Sequence, residues 1–397
     1  MKVLLVGVCV EERFVPIFNK ISSPQASISI SAIKYSRLIF EGFKHHVNED
    51  CTGVFLVPIG MYPESKVFFW KSRMSRGRYY LPFVNILILK QVSIALSLTY
   101  FAFKWCFANR KEKKVVVFTC IYLPFIVPFV FLKRLAQLKL ASFVPDLPEY
   151  EFTYVKSEPS IKQMLVPVYT RLTNTLCRLV DYFVFISDAM KSKFREKPYS
   201  VVEGFVDING GYSEVKILTS KKTIMYAGAL LEKFGIGNLL EAFLLIPGDY
   251  ELWLFGSGEM ESEILIAVER DPRIKLWGSV TNKEVMEYER CATILVNPRF
   301  TSNEFTKYSF PSKILEYMSS GRPALTTRLE SIPHDYHDNL YFIEDESIEG
   351  MRDAIEWCLG KPDTELTEFG CCARNYVLSE KNNVVRIAEV LHKLERL

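Results

Sequence analysis

One pattern constrains this chain more than any other. Short apolar runs alternate with longer amphipathic stretches, and the alternation occurs twice. A strand that is apolar along its whole length must be covered on both faces, and parallel strands need long crossovers to supply that cover, usually helices. In the first half the expected strands are Lys2 to Val8, Val54 to Pro58, Lys114 to Thr119, Leu140 to Val144 and Tyr182 to Ile186. In the second half the runs KTIMYAG, YELWLFG, RIKLWG and CATILVNP alternate with segments such as LEAFLLI and EMESEILIAVER. At 397 residues the chain exceeds the size of a single growing core. The expectation is therefore an α/β protein of two doubly wound, Rossmann-like domains facing a central cleft, with ligands beyond the carboxyl ends of the strands.

The polar stretch from Val206 to Lys222, with Asn209, Gly210 and Gly211, carries neither periodicity and reads as the connection. It sets the boundaries at 1–207 and 208–380, with a terminal helix, 381–397, packing back on the first domain. Charge changes at the same place. Residues 1 to 200 hold 28 Lys and Arg against 14 Asp and Glu, and the remainder hold 21 against 32. A basic half suits nucleic acid, an anionic membrane or a phosphorylated substrate, and charge does not choose among them. Nine cysteines show neither metal-ligand spacing nor a disulfide framework, which suits a reducing cytoplasm. The amino-terminal MKVLLVGV is too short for a secretory signal and reads as a buried strand.

Chemistry concentrates between Pro298 and Pro323, in PRFTSNEFTKYSFPSKILEYMSSGRP. A polar loop follows a strand and a helix then opens, with Pro311 suited to its first turn, Ser309 placed to cap it, and Gly321 and Pro323 ending it. A helix amino terminus has free N–H groups. With Lys233, Arg299 and Lys313 nearby it suits a diphosphate, and Ser312 belongs to the same turn. Glu316 lies one turn further in and can accept two ribose hydroxyls. Lys313 and Glu316 also share a helix face, so a plain ion pair is the competing reading.

PSKILEYMSSGRP resembles the donor-binding helix of retaining glycosyltransferase family 4, which has the GT-B fold. MYAGALLEKFGIGNLLEAF is similar to that family's glycine turn, which includes Gly228, and its lysine segment. LWLFGSGEMESEI is similar to its Gly-x-Gly turn, and VVEGFVD to its interdomain junction. The resemblance spans about residues 180 to 360 and implies a nucleotide-sugar-dependent transferase acting with retention and without a bound metal or cofactor. It makes Glu316 the ribose-binding carboxylate and Lys233 a phosphate-binding lysine, and it places base recognition on backbone near Trp277, Gly278 and Val280. A UDP-sugar is favoured over a GDP-sugar. Two positions depart from the family pattern: Tyr308 stands where its first Glu is expected, and Ala229 where its Arg is. Glu304 and Arg299 are the expected replacements.

In the first half, FVPDLPEY puts Asp146 and Glu149 beyond a strand, where either can orient or deprotonate an acceptor hydroxyl; Asp146 can equally cap a turn. SSPQASISISAIKYSRLIFEGF resembles an acceptor-side loop and helix, offering Gln25 and Ser27. No catalytic His is assigned, since His45 and His46 end no expected strand. Asp146, Lys313 and Arg299 are the expected catalytic residues.

The expected partners are a nucleotide-sugar and a lipid-linked or saccharide acceptor in polysaccharide synthesis, with no nucleic acid. Tyr79 to Phe107 is largely apolar and flanked by Lys71, Arg73, Arg76 and Arg78 and by Arg110, Lys111, Lys113 and Lys114. That arrangement suggests an anionic membrane surface and a peripheral place on the inner membrane face. Two other readings share the fold and stay open: a nucleotide-sugar epimerase, and a non-catalytic scaffold.

Overall fold

The computed structural model describes residues 1–11, 14, 30–147, 161–194, 197–208 and 221–397. The acceptor candidates Gln25, Ser27 and Glu149, and the connecting residues Asn209, Gly210 and Gly211, lie outside them. Two compact units emerge: Met1–Val202 with Asn383–Leu397, and Glu203–Asn382.

The first unit runs β1 (Lys2–Val8), α1 (Ile30–Val47), β2 (Cys51–Leu56), four short strands β3 (Phe69–Trp70), β4 (Arg73–Ser75), β5 (Arg78–Tyr80) and β6 (Phe83–Val84), then α2 (Leu87–Ala108). It continues through β7 (Lys114–Phe118), α3 (Leu123–Leu135), β8 (Leu138–Val144), α4 (Ile161–Cys177), β9 (Tyr182–Phe185) and β10 (Tyr199–Val201). Its main sheet has the order β10-β9-β8-β7-β1-β2-β5-β4, parallel except for the edge strand β4. Order reverses at β1. From there β1 leads through α1 to β2 on one side, while β7, β8 and β9 extend the other way. With right-handed crossovers this puts α1 on one face and α3 and α4 on the opposite face.

The apolar stretch from Tyr79 is therefore not one element. Arg78–Tyr80 pairs with β2, Phe83–Val84 pairs with β3, and the helix begins only at Leu87. Two members of the flanking basic clusters are also internal. Arg78 is buried, 3.2 Å from Glu41 and over the Phe40 ring, and buried Lys114 donates to the carbonyls of Asn109 and Glu112. The end of a helix presents carbonyls that the buried Lys114 ammonium satisfies, and a carboxylate and a ring hold the buried Arg78 guanidinium, uses that composition alone does not reveal.

The second unit runs β11 (Lys222–Ala227), α5 (Ile236–Leu244), β12 (Tyr250–Phe255), α6 (Glu261–Arg270), β13 (Ile274–Gly278), α7 (Asn282–Cys291) and β14 (Ile294–Asn297). It continues with α8 (Lys313–Ser320), β15 (Ala324–Thr327), β16 (Tyr341–Ile343), α9 (Ile348–Leu359) and α10 (Asp363–Glu380). Its sheet is wholly parallel in the order β13-β12-β11-β14-β15-β16. That is the doubly wound order with its reversal between β11 and β14. Apolar side chains cover both faces: Ile224, Leu252 and Leu254 pack under α5 and α9, while Met225, Trp253 and Leu295 pack under α8 and α10.

The final helix, α11 (Asn383–Glu395), rejoins the first unit against α1. Asn383 Nδ2 donates to the Leu38 carbonyl at 3.1 Å, and His46 lies 2.8 Å from the Val384 carbonyl. The two places where the chain passes between units adjoin each other: Val206 bridges Asn382, and its N–H donates to the Lys381 carbonyl. Lys381, itself buried, lies 3.7 Å from buried Glu203 and 2.6 Å from Asp335, over the Tyr336 ring.

Replacing Lys381 by Met leaves the Glu203 carboxylate buried without this cation, an imbalance that costs about 3–5 kcal/mol. Denaturant unfolding should show a loss of that size, and Glu203→Gln in the same chain should restore part of it. Equal stability of wild type and Lys381→Met excludes a structural role for the pair.

Candidate functional site

At the reversal between β11 and β14, the following loops part to opposite sides at the carboxyl ends, the place where sheets of this order bind ligands. Three loops are drawn together there by backbone approach that tolerates no side chain. Gly256, just after β12, has φ +125°, and a Cβ on it would lie 1.8 Å from the Gly228 carbonyl oxygen. Gly235, φ +78°, would place one 1.9 Å from the Pro298 carbonyl oxygen. The β12 loop is thus pressed on the β11 loop, and the amino end of α5 on the β14 loop. Hydrogen bonds complete the arrangement: Gly228 N–H donates to Phe255, Leu230 N–H to Ser257 and Met260 N–H to Leu230. The glycines of the Gly-x-Gly turn therefore serve loop-on-loop contact.

Two tyrosines fix the end of β11. Tyr226 donates from its hydroxyl to the Ala229 carbonyl at 2.9 Å, holding the turn through Gly228. Tyr317, on α8, accepts from the Ala227 N–H at 3.0 Å and so ties that helix to the strand. Burial pushes the Tyr226 hydroxyl up to about 12, against the opposing pull of Arg299 and Lys313. Both cations therefore lie within electrostatic reach of the same phenol.

Arg299 leaves β14 with its guanidinium 4.5 Å from the Phe234 ring centroid, and Thr327 donates to its carbonyl. Lys233 Nζ lies 5.5 Å from the same ring and 5.8 Å from the Phe305 ring. Asn303 Nδ2 donates to the Lys233 carbonyl at 3.1 Å, fastening the lysine turn to the loop after β14. On α8, Lys313 Nζ is 2.6 Å from Glu316 Oε2, and both side chains are largely covered. Burial works to lower the Lys313 pKa, but the carboxylates of Glu316 and Glu289 outweigh it and hold the ammonium above its ordinary value. Lys233 and Arg299 thus share the Phe234 ring, while Arg299 and Lys313 both act on the Tyr226 phenol.

Not every expected residue joins them. Glu304 is exposed at the start of a single 3-10 turn, Glu304–Lys307, and it is the neighbouring Phe305 ring that meets Phe234. Tyr308 follows that turn, half-buried. Ser312 stands at the amino end of α8 and accepts from Glu316 N–H through its carbonyl; its side chain makes no capping bond, and the Ser309 carbonyl instead accepts from Ser331. Gly278 closes β13 with φ +68°, and half-buried Val280 packs on the core below. In the first unit, Asp146 lies just past β8; its side chain reaches solvent, yet the protein crowded around it pushes the carboxyl up to about 6.

Sequence reading missed Tyr226, Tyr317 and Glu289. Glu289 carried a signal: it falls four residues after Val285, on the inward side of α7, where a carboxylate is out of place without a cation. In the first unit a cavity of about 220 Å³ also opens near the ends of β1 and β2, lined by Val10, Val57, Trp70, Arg73 and Tyr80 among others.

Two doubly wound units, with cations gathered past the strand ends of the second, define a protein of GT-B fold. Residues 221–361 match the family described as glycosyl transferases group 1. Among curated proteins, the amylovoran biosynthesis glycosyltransferase AmsK of Erwinia amylovora is 24% identical over 181 residues, a match covering 44% of this chain and 44% of that one. The match thus spans less than half of that relative. Solved structures resemble the chain over its whole length: HepE of Anabaena in complex with UDP, at 12% identity and TM-score 0.61, and sucrose-phosphate synthase of Thermosynechococcus elongatus, at 13% and 0.65, each with full coverage of both chains. At these identities the likeness establishes the fold.

Gly256→Ala combines a left-handed φ with a backbone collision and should destabilise the protein by more than about 2 kcal/mol. Gly278→Ala shares the positive φ but has open space where its Cβ points, so it should cost only about 1–2 kcal/mol of conformational strain. Denaturant melts of the two variants compare them, and the reverse order would contradict the loop packing.

Proposed function

We infer that this chain is a glycosyltransferase. It takes a sugar from a nucleotide-diphosphate donor, UDP-linked in preference to GDP-linked, and passes it with retention of configuration to a lipid-linked or saccharide acceptor in polysaccharide synthesis. The observation that carries this reading is the meeting of Lys233, Arg299 and Lys313 at the carboxyl ends of β11 and β14. A leaving nucleoside diphosphate gains negative charge as the glycosidic bond breaks, and fixed cations in a recess lower that barrier. The family match over residues 221–361 and the AmsK likeness support the class, and HepE, solved with UDP and with UDP-glucose, supports the choice of base.

Within the site, the Lys313–Glu316 pair has a double use. Without donor, each neutralises the other. With donor bound, Lys313 turns to a phosphate and Glu316 accepts from ribose hydroxyls, so the pair exchanges an internal contact for two external ones. Arg299 supplies the positive charge that the family's Arg would bring where Ala229 stands, whereas Glu304, exposed on its turn, would have to swing inward to replace the carboxylate missing at Tyr308. The reaction needs no metal, and its setting is the cytoplasm, where nine free thiols stay reduced. Incubation with a panel of nucleotide sugars tests the class. Release of nucleoside diphosphate supports transfer; an isomerised sugar indicates an epimerase, and no product at all indicates a binding scaffold.

Glu316→Ala should weaken UDP binding by about 1.5–3 kcal/mol, the worth of a charged hydrogen-bond contact, and should also lower the melting temperature, because it leaves the largely covered Lys313 ammonium with Glu289 alone. Calorimetric titration of the folded variant measures it, and unchanged affinity removes Glu316 from the nucleoside site.

Asp146 is proposed as the group that orients or deprotonates the acceptor. A carboxyl held near 6 is a base only above that pH, so kcat/KM should rise through about pH 6 and then level. Asp146→Asn should lower kcat by roughly 10²-fold or more and abolish that rise. A wild-type profile that is flat through this range assigns Asp146 to turn capping instead.

A further inference from the structure

We propose that the outer face of α2, continued by α3 and α4, is a docking surface for an anionic lipid bilayer, on which the first unit lies with α2 parallel to the membrane plane. This goes beyond the donor chemistry and does not depend on it.

The case begins with α2. Its inner stripe of Ile94, Leu98, Ala102 and Trp105 is buried. Its opposite stripe, Val92, Leu96, Tyr100, Phe103 and Phe107, repeats at helical spacing about half a turn away and is exposed, Leu96 by 66% and Phe107 by 65%. A helix apolar all round belongs in apolar surroundings on every side, and here only one side has them. Length and composition would let α2 cross a bilayer. Its inner stripe is committed to the unit's core, however, and Lys90 is fixed by a 2.8 Å bond to the Ile59 carbonyl, so the geometry is that of a helix lying on a surface.

The exposed face does not end with α2. α3 packs beside it and α4 beside α3. α3 presents Phe131 and Leu135 to solvent, the latter at 84%, and α4 presents Val168 and Leu172. An apolar surface spread over three adjoining helices is larger than the singly scattered apolar residues of an ordinary monomer surface.

Charge selects the occupant. None of the three helices contains an Asp or Glu, whereas α1 and α11, on the opposite face, contain Glu41, Glu389 and Glu395. The cations present sit at the rim: Lys104 Nζ lies 4.4 Å from the Tyr100 ring centroid and the Arg110 guanidinium 5.3 Å from that of Phe107, with exposed Lys111, Arg134 and Arg171 nearby in sequence. Aromatics capped by cations around an aliphatic strip match an interface of acyl chains below phosphate headgroups. A protein partner would have to supply an equally large apolar face with acidic edges. A bilayer containing anionic lipid supplies both.

Flotation with vesicles tests it on the full chain. Protein should rise with vesicles containing about 30 mol% phosphatidylglycerol, enough to set up the surface potential that draws basic residues, and much less with pure phosphatidylcholine, and binding should fall as salt rises. Leu96→Glu with Phe103→Glu, both at exposed positions, should cut binding by at least about tenfold while circular dichroism and nucleotide binding stay unchanged. Lys104, Arg110 and Lys111 replaced together by Ala should weaken it by a similar factor. Absence of flotation with anionic vesicles overturns the proposal, as does flotation that both variants leave intact. So does a light-scattering dimer that the double variant dissociates without any vesicle binding, which would make the face a contact between copies of this chain.

Discussion

Everything at the candidate site depends on how closely three loops approach one another past the ends of parallel strands. Parallel strands deliver all their carboxyl ends to one edge, so the loops that follow compete for the same space, and their polar backbone groups must be satisfied there. At β11, β12 and β14 the chain meets this with carbonyl-to-glycine contacts too close for any side chain. Once the loops are locked, Tyr226, Lys233, Arg299 and Lys313 have little freedom left. The positions of the charges follow from the backbone packing.

That dependence explains which parts of the protein are legible in the sequence. Strand positions were readable because burial on both faces requires unbroken apolar runs: Lys2–Val8 and the YELWLF run of β12 are plain examples. β15 and β16 escaped because ALTT and YFI are short and half polar, the polar members being used within the sheet, as where Thr326 meets Asn297 at 2.9 Å. The stretch from Tyr79 misled for a related reason. Two short strands and a helix of similar hydropathy abut there, and only pairing with β2 and β3 separates them.

Site residues divide in the same way. Lys313 and Glu316 were legible because their spacing on a helix and the flanking Pro311 and Gly321 are local signals. Tyr226 and Tyr317 were not, since each lies in an apolar run and its hydroxyl bond depends on a partner 3 or 90 positions away. Glu289 was hidden for the opposite reason: α7 is rich in carboxylates, and only burial distinguishes the one that faces Lys313. Arg78 and Lys114 show the limit of counting charge, because each belongs to a basic cluster in the sequence and each is buried.

The paired passages of chain near Val206 and Asn382 have a consequence for how the protein is made. The second unit is an insertion whose two ends touch, so it can close on itself without reference to what flanks it. The first unit has no such independence. The surface of α1 that α11 covers stays bare until the whole second unit, Glu203–Asn382, has left the ribosome. During that interval the earlier half presents two apolar faces to its surroundings, that of α1 and that of α2, and α11 later covers the first.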